Sequence, residues 1–300
     1  MRVIRAEQLT RSGSSANTDL ERHCTHTAAC EVAGVTMQLR TDIPEVARLF
    51  ALRYADHPAR NEPDFCYYVA TVRGGYTFWC SHAATWRWTQ GPLPPEAVAF
   101  LADSVALAAI IRSDPALVSM QAACLEHNGI AAALAGHSAA GKTATLLACA
   151  RRGMRIYSDE RTVLRNSIAY PYLRRSSVRA AGARLLLADT GDLRDEEAYS
   201  QPQLSPKTCF GHESIAQPRM LRLLFVITGT GYCAALEAMD TAAAMPSVMR
   251  YFDAHGDMVD RATRAMTILN RVQCYRLTLG TPDETSAAMA YAMMRIPPLP

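Results

Sequence analysis

Apolar positions along this chain repeat with two periods, and the change between them divides the molecule. Residues 1–34 are polar and weakly patterned, which predicts a loosely ordered extension. Val35–Leu39 reads as a short strand. Thr41 or Asp42 is placed to cap a helix running to about Tyr54, with Pro44 in its first turn. Val46, Leu49, Phe50 and Tyr54 then form its buried stripe. Phe65–Val72, Gly74-Gly75 and Tyr76–Cys80 read as a hairpin, and Ala84–Trp88 as a further strand. Pro95 can begin a helix with Val98, Leu101, Val105 and Ala108 on one face, ending near Ile111. The span 35–114 is therefore expected to be a small α+β domain.

Asp114-Pro115 interrupts the chain, and from 115 to 300 short apolar strands alternate with helices. Val118–Leu125, Ile130–Leu134 and Arg155–Ser158 read as strands, and Thr162–Leu187 as a hairpin region. Asp189–Pro218, rich in charge, Pro and Gln, reads as a long loop. Met220–Thr228 is an expected strand followed by helices, then Gln273–Leu279 as a strand and Pro282–Met294 as a helix. No internal repeat is visible. The fold class expected is α/β.

Between the second and third of these strands the chain reads Gly136-His137-Ser138-Ala139-Ala140-Gly141-Lys142-Thr143, which fits G-x-x-x-x-G-K-[ST]. The chemistry explains the residue types. Glycines permit a tight turn whose N–H groups converge on a phosphate. Lys142 can reach the β- and γ-phosphates, and the Thr143 hydroxyl can hold Mg²⁺. The order strand, loop, helix is the one such a cradle needs, since a helix N-terminus favours an anion. Thr145, in the first turn, joins the candidate nucleotide-binding set. Ala139 and Ala140 stand where many such loops carry Gly. An ordinary Gly-rich strand-to-helix turn is the competing reading.

Arg155–Ser158 ends in Asp159-Glu160. Ligands of open α/β sheets lie at the carboxyl ends of strands, so an acid there can accept a proton or hold a cation. Asp159, first off the strand, is the better candidate base, and Glu160 a candidate metal ligand. Two solvated turn acids would be the plain alternative.

Composition narrows the partners. The chain has 31 basic and 28 acidic residues, a net charge of +3, which gives no general case for nucleic acid or an anionic membrane. Lys142 and Lys207 are its only lysines. Nine cysteines without regular spacing suit a reducing cytoplasm better than a disulfide framework. No secretory signal and no run long enough to span a membrane is found, so a cytoplasmic protein is expected.

The string from the glycine-rich loop through its helix to Arg151-Arg152-Gly153-Met154-Arg155-Ile156-Tyr157-Ser158-Asp159-Glu160 resembles the core of HPr kinase/phosphorylases and their smaller relatives. The resemblance covers about residues 117–295. Met120-Gln121-Ala122-Ala123-Cys124 lies where relatives often read His-Ala-Ala, and Arg271–Leu277 is similar to their closing strand. It implies a P-loop kinase core with a phosphoenolpyruvate-carboxykinase-like mixed sheet. It maps a general base onto Asp159 and the second acid onto Glu160. Gln121 stands where those relatives carry a His. The Gly-rich C-terminal signature of true HPr kinases has no clear match. With the N-terminal unit, the chain looks more like kinases that phosphorylate a serine of a lasso-peptide precursor or similar peptide.

His23, Cys24, His26 and Cys30 are zinc-ligand types, but their spacing favours an incidental polar tail. His212-Glu213, Lys207 and Arg219 could grip phosphate, though a solvated loop explains them better. Arg161 could steady phosphate or pair with Glu160. Arg174-Arg175 reads as a hairpin surface pair, and Trp79, Trp86 and Trp88 as markers of the N-terminal sheet.

Three functions are expected from these residues, in order. The first is a kinase using ATP or GTP with Mg²⁺, acting on a peptide or protein Ser/Thr or on a small hydroxylated metabolite. The second is a non-catalytic nucleotide-binding module. The third, disfavoured by the mild charge, is a nucleic-acid-dependent ATPase. Because the related kinases assemble, the resemblance also implies a homo-oligomer.

Overall fold

A computed structural model describes residues 20–55, 57–72, 75–80, 87–91, 93–172, 176–177, 203–204, 217–250 and 252–296. The chain divides into two units, Met1–Asp114 and Pro115–Pro300.

Among the described residues the first unit holds a five-stranded sheet, two full helices and a helical segment over 20–23. Its strands are β1 (His26–Val32), β2 (Val35–Thr41), β3 (Phe65–Val72), β4 (Gly75–Cys80) and β5 (Arg87–Gln90), in that spatial order. Only β2 and β3 run parallel, and α1 (Pro44–Arg53) makes the connection between them. β1 corrects the expectation of a loose extension through residue 34. Ala28, Cys30 and Val32 alternate inward and are buried, so β1 is a strand with one covered face. The last strand, Arg87–Gln90, overlaps the expected Ala84–Trp88 and runs on to Gln90; residues 84–86, Trp86 among them, lie outside the described residues.

Ile43, not Thr41 or Asp42, precedes the first turn of α1, and no side chain caps it. Asp42 instead accepts a hydrogen bond from the Thr71 backbone N–H. The predicted stripe Val46, Leu49, Phe50 and Tyr54 is buried. The second helix, α2 (Pro95–Ser113), buries Ala102, Ala106, Ala109 and Ile110 beside Val98 and Val105. Leu101 and Ala108, expected on its inner face, are only half-buried. Where α1 meets α2, Arg53 Nε lies 3.0 Å from Asp103 Oδ2, and Tyr54 donates its hydroxyl to the same carboxylate.

In the second unit, β6 (Leu117–Met120) and β7 (Ala122–His127) replace the single strand expected over 118–125. The chain changes sheets at Gln121. Then follow β8 (Ile130–Ala135), α3 (Lys142–Arg151), β9 (Arg155–Ser158), β10 (Thr162–Arg165), β11 (Ile168–Tyr170), and the paired fragments β12 (Ser176–Ser177) and β13 (Gln203–Leu204). The rest of the expected hairpin and long loop, including Arg174-Arg175, Lys207 and His212-Glu213, lies outside the described residues. β14 (Arg219–Thr230), β15 (Ala235–Met239), α4 (Thr241–Met249), β16 (Phe252–Ala254), α5 (Met258–Leu269), β17 (Gln273–Leu279) and α6 (Pro282–Met294) complete the unit.

The main sheet runs β9-β7-β8-β14-β17-β15. β8, β14 and β17 are parallel, while β7 and β15 run against their neighbours. The class is therefore α/β with mixed sheets. Period-two alternation sends β8 side chains to both faces. Ala132 and Leu134 pack with Leu146 and Cys149 of α3 and with Met289 and Met293 of α6. Ala131, Ala133 and Ala135 face a second core with Ala244 and Val248 of α4 and Ile268 and Leu269 of α5. An antiparallel group, β16-β6-β10-β11, joins the same β14 at its first two residues.

Candidate functional site

The phosphate-loop string occupies the carboxyl end of β8. Gly141 caps α3 with φ +91°, a left-handed conformation that L side chains rarely adopt. A Cβ on Gly136 would come within 3.2 Å of the Ile227 side chain and 3.3 Å of Ala140 Cβ. Glycine at 136 thus lets the loop lie against β14, and glycine at 141 lets it turn into the helix. Ala139 also has positive φ, +66°, without being glycine. An alanine there carries local strain.

Lys142 begins α3 and is mostly buried. Its Nζ donates to the carbonyl oxygens of Gly136, at 2.9 Å, and His137, at 2.8 Å. Burial lowers the ammonium pKa below its ordinary value, and the carboxylates of Glu160 and Asp159 oppose that shift. His137, Ser138 and Ala139 are exposed, and Ala140 and Thr143 half-buried. Thr145, counted with the nucleotide-binding set, is buried, 3% exposed, in the first turn of α3.

Register fixes where the acids stand. Cys124 of β7 pairs with Ala133 of β8 on one side and Ser158 of β9 on the other. β9 is therefore parallel to β8, one strand removed, about 10 Å away at ordinary strand spacing. Asp159 leaves β9 at the edge where the loop leaves β8. Asp159 is buried, 8% exposed, and Glu160 exposed. Gln121 precedes Ala122, which pairs with Ala135, so it lies at that edge between loop and acids. Arg161 follows, half-exposed.

Several contributors have no local signal in the sequence. Ile227 lies against Gly136, and Leu279 against Gly141. The far end of α3 is tied to α6: Arg152 donates to the Ser286 hydroxyl at 2.7 Å and to the Asp283 carbonyl at 3.1 Å. These partners are remote in sequence, and only the sheet order brings them together.

Thr143 offers a half-buried hydroxyl and Glu160 an exposed carboxylate, oxygen donors of the kind a hard cation such as Mg²⁺ takes. The zinc-type residues do not converge. Cys30 is fully buried in β1, and the Cys24 thiol points to the Val69 carbonyl. His23 pairs with Asp42 at 3.3 Å, and His26 is exposed at the strand's start. No group of three or more His, Cys, Asp or Glu gathers among the described residues. Trp79 is buried against Tyr68, ring centroids 5.2 Å apart, as a core residue. Among the described residues no helix is long and apolar enough to cross a membrane. No protein-family model matches the chain, and no curated protein matches it.

Proposed function

We propose that the second unit is a nucleotide-dependent kinase that transfers the γ-phosphoryl group to a hydroxyl. The observation that carries the reading is the shared sheet edge: a buried Lys142 under the field of Asp159 and Glu160, with both acids leaving a strand parallel to the loop strand. A phosphate cradle and a carboxylate one strand apart supply what in-line transfer needs.

In the proposed reaction, ATP or GTP lies with its β- and γ-phosphates along residues 136–143. Lys142 Nζ leaves the Gly136 and His137 carbonyls and meets phosphate oxygens. Asp159 accepts the proton of the acceptor hydroxyl as its oxygen bonds to the γ-phosphorus. The bond from that phosphorus to the β–γ bridging oxygen breaks, and the nucleoside diphosphate departs with the electron pair. Thr143 and Glu160 would hold Mg²⁺, which neutralises phosphate charge when bound. The acceptor proposed is a serine or threonine of a peptide, such as a lasso-peptide precursor, with a small hydroxylated metabolite as the other class.

One observation favours a second reading, a nucleotide-binding module without transfer. Ala139 holds a left-handed backbone in the loop, which alters the grip on phosphate. Labelled ATP with Mg²⁺ and a panel of peptide and small-molecule acceptors separates the two. The kinase reading expects transfer by the natural chain and none by Asp159→Asn, with nucleotide still bound. Binding without transfer to any acceptor supports the module instead.

A further inference from the structure

A cavity opens in the second unit, away from the phosphate loop. Its volume is about 420 Å³, in the range of small-molecule sites. Pro115, Ala116, Val118 and Ile268 give it an apolar floor. Arg264, Thr267 and Arg271, together with Asn166 and Ser167, give it polar walls.

Sheet register locates it. Thr162, just past Asp159-Glu160, pairs with Met120, whereas Arg165 pairs with Leu117 at the other end of the same two strands. The cavity lies at the Leu117–Arg165 end, so it is distinct from the site already described.

Two features point to an anionic ligand. First, Arg264 and Arg271 are seven residues apart, two helical turns, so both project to one side of α5 and its closing turn. Second, no carboxylate is among the lining residues, and neither arginine forms an ion pair among the described residues. Arg264 donates to the Pro115 carbonyl, a neutral partner that orients the guanidinium without cancelling its charge. The opposite wall is the two-residue turn of the β10–β11 hairpin, in which Asn166 at φ +51° and Ser167 at φ +68° take the positive-φ conformation that such a turn requires. Asn166 is exposed and lines the cavity with the two arginines.

We infer that this cavity binds a small polyanion, one whose carboxylate or phosphate groups are spaced to meet Arg264 and Arg271 while its carbon frame rests on Val118 and Ile268. Guanidinium suits both kinds of group, so the chemistry named is the shared one. The inference does not depend on the kinase reading.

Calorimetric titration of the full chain with citrate and, separately, with pyrophosphate tests it. Wild type, Arg271→Gln, Arg264→Gln and Lys142→Ala are compared. Arg271 is exposed, so its replacement leaves packing intact, and a thermal melt checks this. The expected result is saturable binding of at least one probe that survives Lys142→Ala and weakens about tenfold in each arginine variant, the size of one lost charge-assisted contact. A response to citrate alone or pyrophosphate alone identifies which anionic group is preferred. No saturable binding of either probe overturns the inference. So does binding that disappears in Lys142→Ala while both arginine variants match wild type, since the probe then sits in the phosphate loop.

Discussion

Lys142 donates from Nζ to the carbonyl oxygen of Gly136, 2.9 Å away, and so draws the phosphate loop closed around its own side chain. In the proposed reaction Lys142 would exchange this and the His137 carbonyl, two neutral acceptors, for anionic ones, and charge-assisted bonds favour that exchange.

Lys142→Met is expected to separate stability from binding. The folded chain holds this ammonium below its ordinary pKa, chiefly through burial. Between that lowered value and the unfolded value of about 10.4, the unfolded chain binds the extra proton. The contribution of Lys142 to stability therefore rises as pH climbs through that window, and its charge costs stability at lower pH. At neutral pH the Met variant should melt no lower than wild type, yet bind nucleotide about a hundredfold more weakly. Melting curves and a fluorescent-nucleotide titration check both halves. A lower melting temperature would contradict the assigned cost.

Asp159→Asn should leave nucleotide affinity nearly unchanged and lower any phosphoryl transfer by about 10²–10⁴-fold, the range for loss of a positioned base. Glu160→Gln, at an exposed position, is expected to act through the metal dependence, raising the Mg²⁺ concentration needed for half-maximal nucleotide binding. Equal effects of the two substitutions on every readout would remove the distinction drawn between them.

Ala139 tests the loop backbone. Its φ of +66° suits glycine, so Ala139→Gly trades strain relief against a more flexible unfolded chain. Stability should change by less than about 1 kcal/mol, with binding kept or improved. Ala139→Val puts a β-branched side chain in that conformation and should cost about 1–2 kcal/mol and weaken nucleotide binding. A valine variant as stable as wild type would show that the loop moves readily away from this conformation.

Arg53 and Asp103 form a buried pair, their side chains 7% and 1% exposed. Asp103→Ala strands a buried guanidinium and leaves the Tyr54 hydroxyl without this acceptor. A loss of about 3–5 kcal/mol is expected by denaturant unfolding. The double variant Arg53→Met, Asp103→Leu should recover most of it, because apolar replacement of both partners removes the uncompensated charge.

Thiol chemistry should follow burial. Desolvation pushes Cys24, Cys124 and Cys149 up to about 12, so they stay protonated at pH 8. Cys233 is exposed. Brief iodoacetamide treatment of the native chain, followed by peptide mass spectrometry, should label Cys233 and spare those three until denaturant is added.

Local strings were readable and distant pairings were not. Gln273–Leu279 and Pro282–Met294 carry their own signals: a β-rich run, then Thr281 and Pro282 opening a capped helix in which Thr281 and Glu284 bond reciprocally. Arg155–Ser158 is equally local. Ala235–Met239 shows the limit. Its composition reads as helix, yet it pairs antiparallel with β17, and that partner overrides propensity. The break at Gln121 has no marker either, because the apolar run continues across the change of sheet. At the candidate site, the glycine-rich loop and Asp159 are contiguous motifs. Ile227 and Leu279, which close on the loop glycines, are ordinary strand residues until the sheet order is known.

β14 serves both groups of strands: Arg219 and Met220 pair with β11, and Leu221 through Val226 pair with β8. The loop strand thus obtains one of its two neighbours only after the intervening chain has been made. A nascent chain ending before Arg219 therefore holds the whole phosphate-loop string but not the wall against which Gly136 rests. The cradle matures late in synthesis, set by the order of the chain rather than by the motif.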